Sequence, residues 1–192
     1  MPSPDSTALV HRLGQTTYLD LFQRLNRKLL EEIWDGGQAS FALRAIVIDD
    51  PSPPRIRFLA AEILFTMDPA YPNGEALESL ASIYAGALRD APREMANPWG
   101  LPGSADGPIA DHVLRIGAGA VPALRPLLDD AAPVKFSGSR EATYGNRFAW
   151  RVKDIAASLL ARICGIPFNP VPDPSARDSA IVHLKAALET SR

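Results

Sequence analysis

One stretch of this chain is written twice, and a helix pair that recurs cannot bury its apolar face alone. Ala42-Leu43-Arg44, then Asp49-Asp50, then Ile56-Arg57-Phe58-Leu59-Ala60-Ala61-Glu62-Ile63-Leu64 returns as Ala123-Leu124-Arg125, Asp129-Asp130 and Val152-Lys153-Asp154-Ile155-Ala156-Ala157-Ser158-Leu159-Leu160. Such a unit must stack on copies of itself, which predicts an all-α fold, a short α-solenoid of about eight helices in antiparallel pairs.

The chain has 192 residues, 46% of them hydrophobic, enough to fill a continuous core. A net charge of −2 argues against a surface built as a whole to neutralise nucleic acid. No run reaches the 18 or so apolar residues of a spanning helix, so no transmembrane segment is expected. Residues 1–15 read as a flexible leader without the basic and apolar regions of a signal peptide. A signal already removed would leave the same sequence, so the reading is cytoplasmic as written and periplasmic after cleavage. Cys164 lies in an apolar run and reads as a buried core thiol.

Residues 16–192 read as one helical-repeat domain. Tyr18, Leu21, Phe22, Leu25, Leu29 and Ile33 place a first helix, with Thr17 and Asp20 as a capping pair and Gly36-Gly37 as its stop. Helices follow at about 38–48, 54–66 and 77–88. Periodicity disappears at 92–107, where Pro98, Gly100, Pro102 and Gly103 accumulate, so a loop or hinge is expected there. Four more helices are expected near 109–116, 121–128, 150–163 and 174–188, and no strand.

The run Ala120-Val121-Pro122-Ala123-Leu124-Arg125-Pro126-Leu127-Leu128-Asp129-Asp130 with Arg151-Val152-Lys153-Asp154-Ile155-Ala156-Ala157 resembles a bacterial HEAT repeat of the type grouped with phycobilisome-lyase HEAT-like repeats. Arg57-Phe58-Leu59-Ala60-Ala61-Glu62 resembles the same second helix. The resemblance implies a curved two-layer superhelix. It covers about 38–66 and 120–164, and its family includes scaffolds, transport adaptors, a minority of enzymes and some nucleic-acid binders, so it does not assign a function.

The two copies differ in length. Seven residues separate Asp50 from Arg57, whereas 23 separate Asp130 from Lys153, which marks an insertion of about 16 residues in the second copy. Insertions in repeats project from one face, and this one mixes aromatic, basic and flexible residues. Between Lys135 and Arg162 six basic residues face two acidic ones. Lys135, Phe136, Arg140, Tyr144, Arg147 and Arg151 are therefore candidates for binding another protein that carries an acidic patch. The plainer readings are that Phe136, Tyr144 and Phe148 tuck under the last helices and that Arg151, Lys153 and Asp154 serve hydrogen bonds within the repeat.

Catalytic signatures are thin. His11, His112 and His183 are scattered, the two Asp pairs suit helix ends, and no phosphate loop, nucleophile elbow or metal-ligand spacing is present. No cofactor is implied. The leading expectation is a non-enzymatic protein-protein scaffold. The alternative is a carrier of a lipid, sterol or similar apolar molecule in a groove lined by Trp34, Phe41, Trp99, Leu101, Tyr144, Phe148 and Trp150, with the loop around Trp99 as a lid. A nucleic-acid binder is a weaker third reading.

Overall fold

Helix α4 (Pro54–Met67) organises the first half of the chain, because its residues 56 and 58–65 are all buried. A helix apolar on every side needs neighbours on every side. The computed structural model describes residues 4–23, 27–48, 51–92, 96–103, 107–138 and 140–190, with backbone alone at 4, 5, 23, 140 and 141. Among the described residues the chain forms ten α-helices, several 3-10 turns and one π turn, and no strand. It divides into two compact units, Met1–Ile83 and Tyr84–Arg192.

In the first unit α4 packs against α1 (Pro4–Gly14), α2 (Arg27–Trp34) and α3 (Ser40–Ile48). Pro54 starts α4 at a position that needs no amide donor. The Arg57 guanidinium donates from Nε and Nη2 to the carbonyl of Val47 near the end of α3, at 3.1 and 2.6 Å. Arg44, at the middle of α3, pairs at 2.6 Å with Asp68, which caps the end of α4. Thr17 and Asp20 form the expected reciprocal cap, their side chains accepting each other's backbone amides at 3.2 and 3.0 Å. The turn they cap is π-helical, Leu19–Gln23. Helix α5 (Leu77–Asp90) crosses the division between the units.

In the second unit the hub is α9 (Val152–Cys164), whose residues 154–161 are buried. It packs against α6 (Pro108–Ile116), α7 (Val121–Leu124), the 3-10 turn Arg125–Asp129 and α10 (Pro174–Thr190). The expected helix over 121–128 tightens into that 3-10 turn because Pro126 has no amide to continue the α ladder. Gly165, at φ +66°, ends α9 in the left-handed region.

Among the described residues ten helices stand in place of the eight expected. One addition is α1, which occupies the segment read as a flexible leader and buries Leu13. The other is α8 (Arg140–Arg147), inside the insertion. The helix expected from Tyr18 to Ile33 is instead the π turn and α2, with Leu25 outside the described residues. Asp49 and Asp50 also lie outside them. Cys164 is exposed, contrary to the core reading, because it falls in the last turn of α9 beyond the packed run.

Candidate functional site

The insertion is tied down at its base and at its tip. Asp130 Oδ1 accepts the Ala132 amide at 2.9 Å, turning the chain away from α7. The two legs then pair: the Val152 amide donates to Ala132 and the Val134 amide to Trp150, both at 2.9 Å, around an antiparallel bridge of Pro133 and Arg151. Beyond this stem two asparagines act as surrogate backbone, since a side-chain amide carries the same donor and acceptor as a peptide. Asn146 accepts the Phe136 amide at 3.1 Å and donates to its carbonyl at 3.0 Å. Asn97 does the same for Ser137, at 2.8 and 2.6 Å. The Ala96 amide adds a bond to the Lys135 carbonyl at 3.2 Å.

The six residues nominated for partner binding separate into different roles. Phe136 is only 4% exposed and lies so close to Gly145 that a Cβ there would stand 2.3 Å from its ring. Lys135 and Arg147 are exposed, and Tyr144 is 53% exposed. Tyr144 and Arg147 are three residues apart on α8, on one side of the helix. The Arg140 side chain lies outside the described residues. Arg151 belongs to an ion cluster at the stem.

That cluster joins α9 and α10. Asp154 accepts Arg151 Nε at 3.0 Å and Nη2 at 2.9 Å, and also reaches back to the Arg151 amide at 2.9 Å, as a helix-capping carboxylate does. Asp178 Oδ1 stands 2.9 Å from Arg151 Nη2 and 2.8 Å from Lys153 Nζ. The hydrogen bond to Asp154 holds Arg151 above its ordinary range against partial burial, and Arg151 and then Lys153 hold the Asp178 carboxyl below the usual carboxylate range. Arg177 is fully buried. Its Nη1 donates to the carbonyls of Val171 and Pro172 at 3.0 and 2.7 Å, and its Nη2 to those of Phe148 and Ala149 at 2.9 and 3.2 Å. Its guanidinium also lies 4.4 Å from the centre of the Trp150 ring. Sequence reading missed Arg177, although a signal was available: it stands four, seven and eleven residues before Ile181, Leu184 and Leu188, in register with the apolar stripe of α10.

The aromatic residues nominated for an apolar groove do not share one setting. In the first unit Trp34 is half-buried against Gly37, while Phe41 is 82% exposed. In the second, Trp99 and Trp150 are buried, Leu101 and Phe148 are half-buried, and Tyr144 is exposed. Phe148 meets Trp150 edge to face at 5.7 Å. The segment around Trp99 is fastened at its far end, where the Gly103 amide donates to Ser158 Oγ at 3.1 Å.

The first unit holds a second polar group that the sequence reading did not single out. Glu62, on α4, is buried and accepts a hydrogen bond from Tyr18. Burial first, then the charge and hydrogen bond of Glu62, push the Tyr18 hydroxyl well above its ordinary value. Arg44 lies over the Tyr71 ring at 5.2 Å and also pairs with Glu75. Burial raises Asp68, but the Ala70 amide and Arg44 outweigh it and hold that carboxyl below the usual range.

Among the described residues no group of three or more His, Cys, Asp or Glu side chains stands together as a metal-ligand set. No helix among them is long and apolar enough to cross a membrane. Comparison of the chain with protein-family models, curated proteins and solved structures returned no match.

Proposed function

We propose that this chain is a HEAT-like helical-repeat module that binds another protein through the insertion of its second repeat, acting as a scaffold or adaptor. Support for the repeat comes from the second helix of each copy, α4 and α9, whose residues 58–65 and 154–161 are buried in a continuous run. In the first copy the earlier residue of α3, Arg44, meets the end of α4 at Asp68, and the later one, Val47, meets its start at Arg57, the order of an antiparallel pair.

The observation that carries the functional reading is the division of labour in the insertion. Phe136, Asn146 and Asn97 fix its backbone, while Tyr144, Arg147 and Lys135 are left at the surface. A large aromatic side chain with neighbouring cations on a pre-ordered element loses little entropy on binding, which is what an interface anchor requires. The partner's complementary surface carries carboxylates.

The test places a photocrosslinking amino acid at position 144 in the chain's own cells, with and without Lys135→Glu and Arg147→Glu. A discrete crosslinked protein that disappears with the charge reversals, at stability changed by less than about 0.5 kcal/mol, is the expected result. A crosslink indifferent to both reversals removes the insertion as the docking site.

A further inference from the structure

The junction between α8 and the stem is strained, and the groups that hold it belong to a different helix. Ala149 has φ +47°, a left-handed backbone that a residue with a Cβ adopts reluctantly. Residues held this way persist only where their surroundings over-determine them. Here the holding groups come from the first turn of α10. Arg177 takes the carbonyls of Phe148 and Ala149 and covers the Trp150 ring, and Asp178 ties Arg151 and Lys153 from the other side. Phe148 and Ala149 follow directly on α8, so a cation among their carbonyls also complements that helix end.

Helix α9 is anchored separately. Its buried residues 154–161 face α6, α7 and the 3-10 turn as well as α10, and its first amides bond to Asp130 and Ala132. Loss of the Arg177 and Asp178 contacts therefore bears on the insertion and on the first turn of α9, where Lys153 and Asp154 meet them, before it bears on the centre of α9.

We propose that α10 is a clasp for the insertion. Docked, Arg177 and Asp178 hold the stem closed with Ala149 strained and α8 seated on Phe136. When the first turn of α10 lifts, Ala149 relaxes, and α8 with Tyr144 and Arg147 leaves its seat while α9 stays packed. This rests on the reading of α8 as the partner-binding face: with α10 docked that face is held pre-ordered, and with α10 lifted its order is lost.

Hydrogen exchange of the full chain, followed by mass spectrometry, tests the clasp without a partner. Three proteins are compared: the unsubstituted chain, Arg177→Lys and Asp178→Asn. Lysine keeps the charge but cannot span both pairs of carbonyls. The expected result for Arg177→Lys is exchange of the α8 amides faster by on the order of tenfold, with the central amides of α9 within about twofold of the parent. If Arg177→Lys loosens the whole unit, Asp178→Asn, at a half-exposed site, gives the reading with a smaller acceleration confined to α8 and its stem. The clasp is overturned if neither variant speeds α8, or if α8 accelerates only together with α9. Because no partner is present, a failed crosslink at position 144 bears on the binding reading alone, and unchanged α8 exchange on the clasp alone.

Discussion

Asp154 Oδ1 lies 3.2 Å from Arg177 Nε although both side chains are fully out of solvent, and the same carboxylate is claimed by Arg151. Two guanidinium groups thus share one buried carboxylate, and Asp178, at the rim, supplies the second negative charge. Such a cluster adds little net stability as a whole, because desolvation consumes most of the Coulomb gain, but removing one member leaves the others buried and uncompensated. Asp154→Asn, which keeps the shape and deletes the charge, is expected to destabilise the chain by about 3–5 kcal/mol in urea unfolding. A loss under about 1 kcal/mol would mean that Asp178 alone balances both arginines.

Glu62 and Ser158 occupy matching positions in the two copies of the repeat, both buried, and each fastens an irregular segment of its own unit. Glu62 takes the Tyr18 hydroxyl, and Ser158 takes the Gly103 amide. Tyr18→Phe deprives the buried Glu62 carboxylate of a donor, and its expected cost is about 1–3 kcal/mol. Adding Glu62→Gln should recover part of that loss, since the amide carries no charge to desolvate. Equal stability of the single and double variants by chemical denaturation would count against the Tyr18–Glu62 bond as the source.

Gly145 has no room for a side chain: the nearest Phe136 ring carbon would be 2.3 Å from a Cβ. Gly145→Ala must displace Phe136 from its buried site or push α8 outward. The expected penalty is about 1–3 kcal/mol, the usual range for overpacking. The displacement should also accelerate proteolysis within the insertion, and cleavage at the unsubstituted rate would show that Phe136 yields without moving the backbone.

The hubs of both units could be read in advance because α4 and α9 carry long apolar runs bounded by strong punctuation, Pro54 at one start and Gly165 at one end. Helix α8 gave no such signal. It has eight residues, a glycine in its interior and no apolar stripe, and the asparagine bonds that position it join residues 10 and 40 apart in the chain. Helix α1 was obscured by its polar N-terminal residues, although Leu13 is buried. At the candidate site, charge and aromatic content marked the insertion, and position in the repeat offered Arg151 a structural bond, but nothing in the composition distinguished Phe136, which is spent on packing, from Tyr144, which remains exposed.

Asp178 makes the ion cluster sensitive to acid. Its carboxyl is held below its ordinary value by Arg151 and Lys153 in the folded chain, so the stability it contributes is present above the unfolded carboxyl's pKa and is lost as pH falls through the folded one. The difference in Tm between the parent and Asp178→Asn is therefore expected to be steady at neutral pH and to shrink below about pH 4. A difference that stays constant down to pH 2 would assign the contribution of Asp178 to something other than its charge.

Ala149 offers the opposite kind of change, a substitution that should stabilise. A left-handed conformation costs a residue with a Cβ roughly 1–2 kcal/mol, a penalty glycine escapes, while glycine loses more backbone freedom on folding. The balance favours Ala149→Gly by about 1 kcal/mol in denaturant unfolding. In the Arg177→Lys background the same change should slow the opening of α8, because relaxation of Ala149 no longer rewards release of the stem. If Ala149→Gly instead destabilises the chain, the methyl group of Ala149 contributes packing that exceeds its backbone strain, and the insertion is held closed by contact rather than against tension.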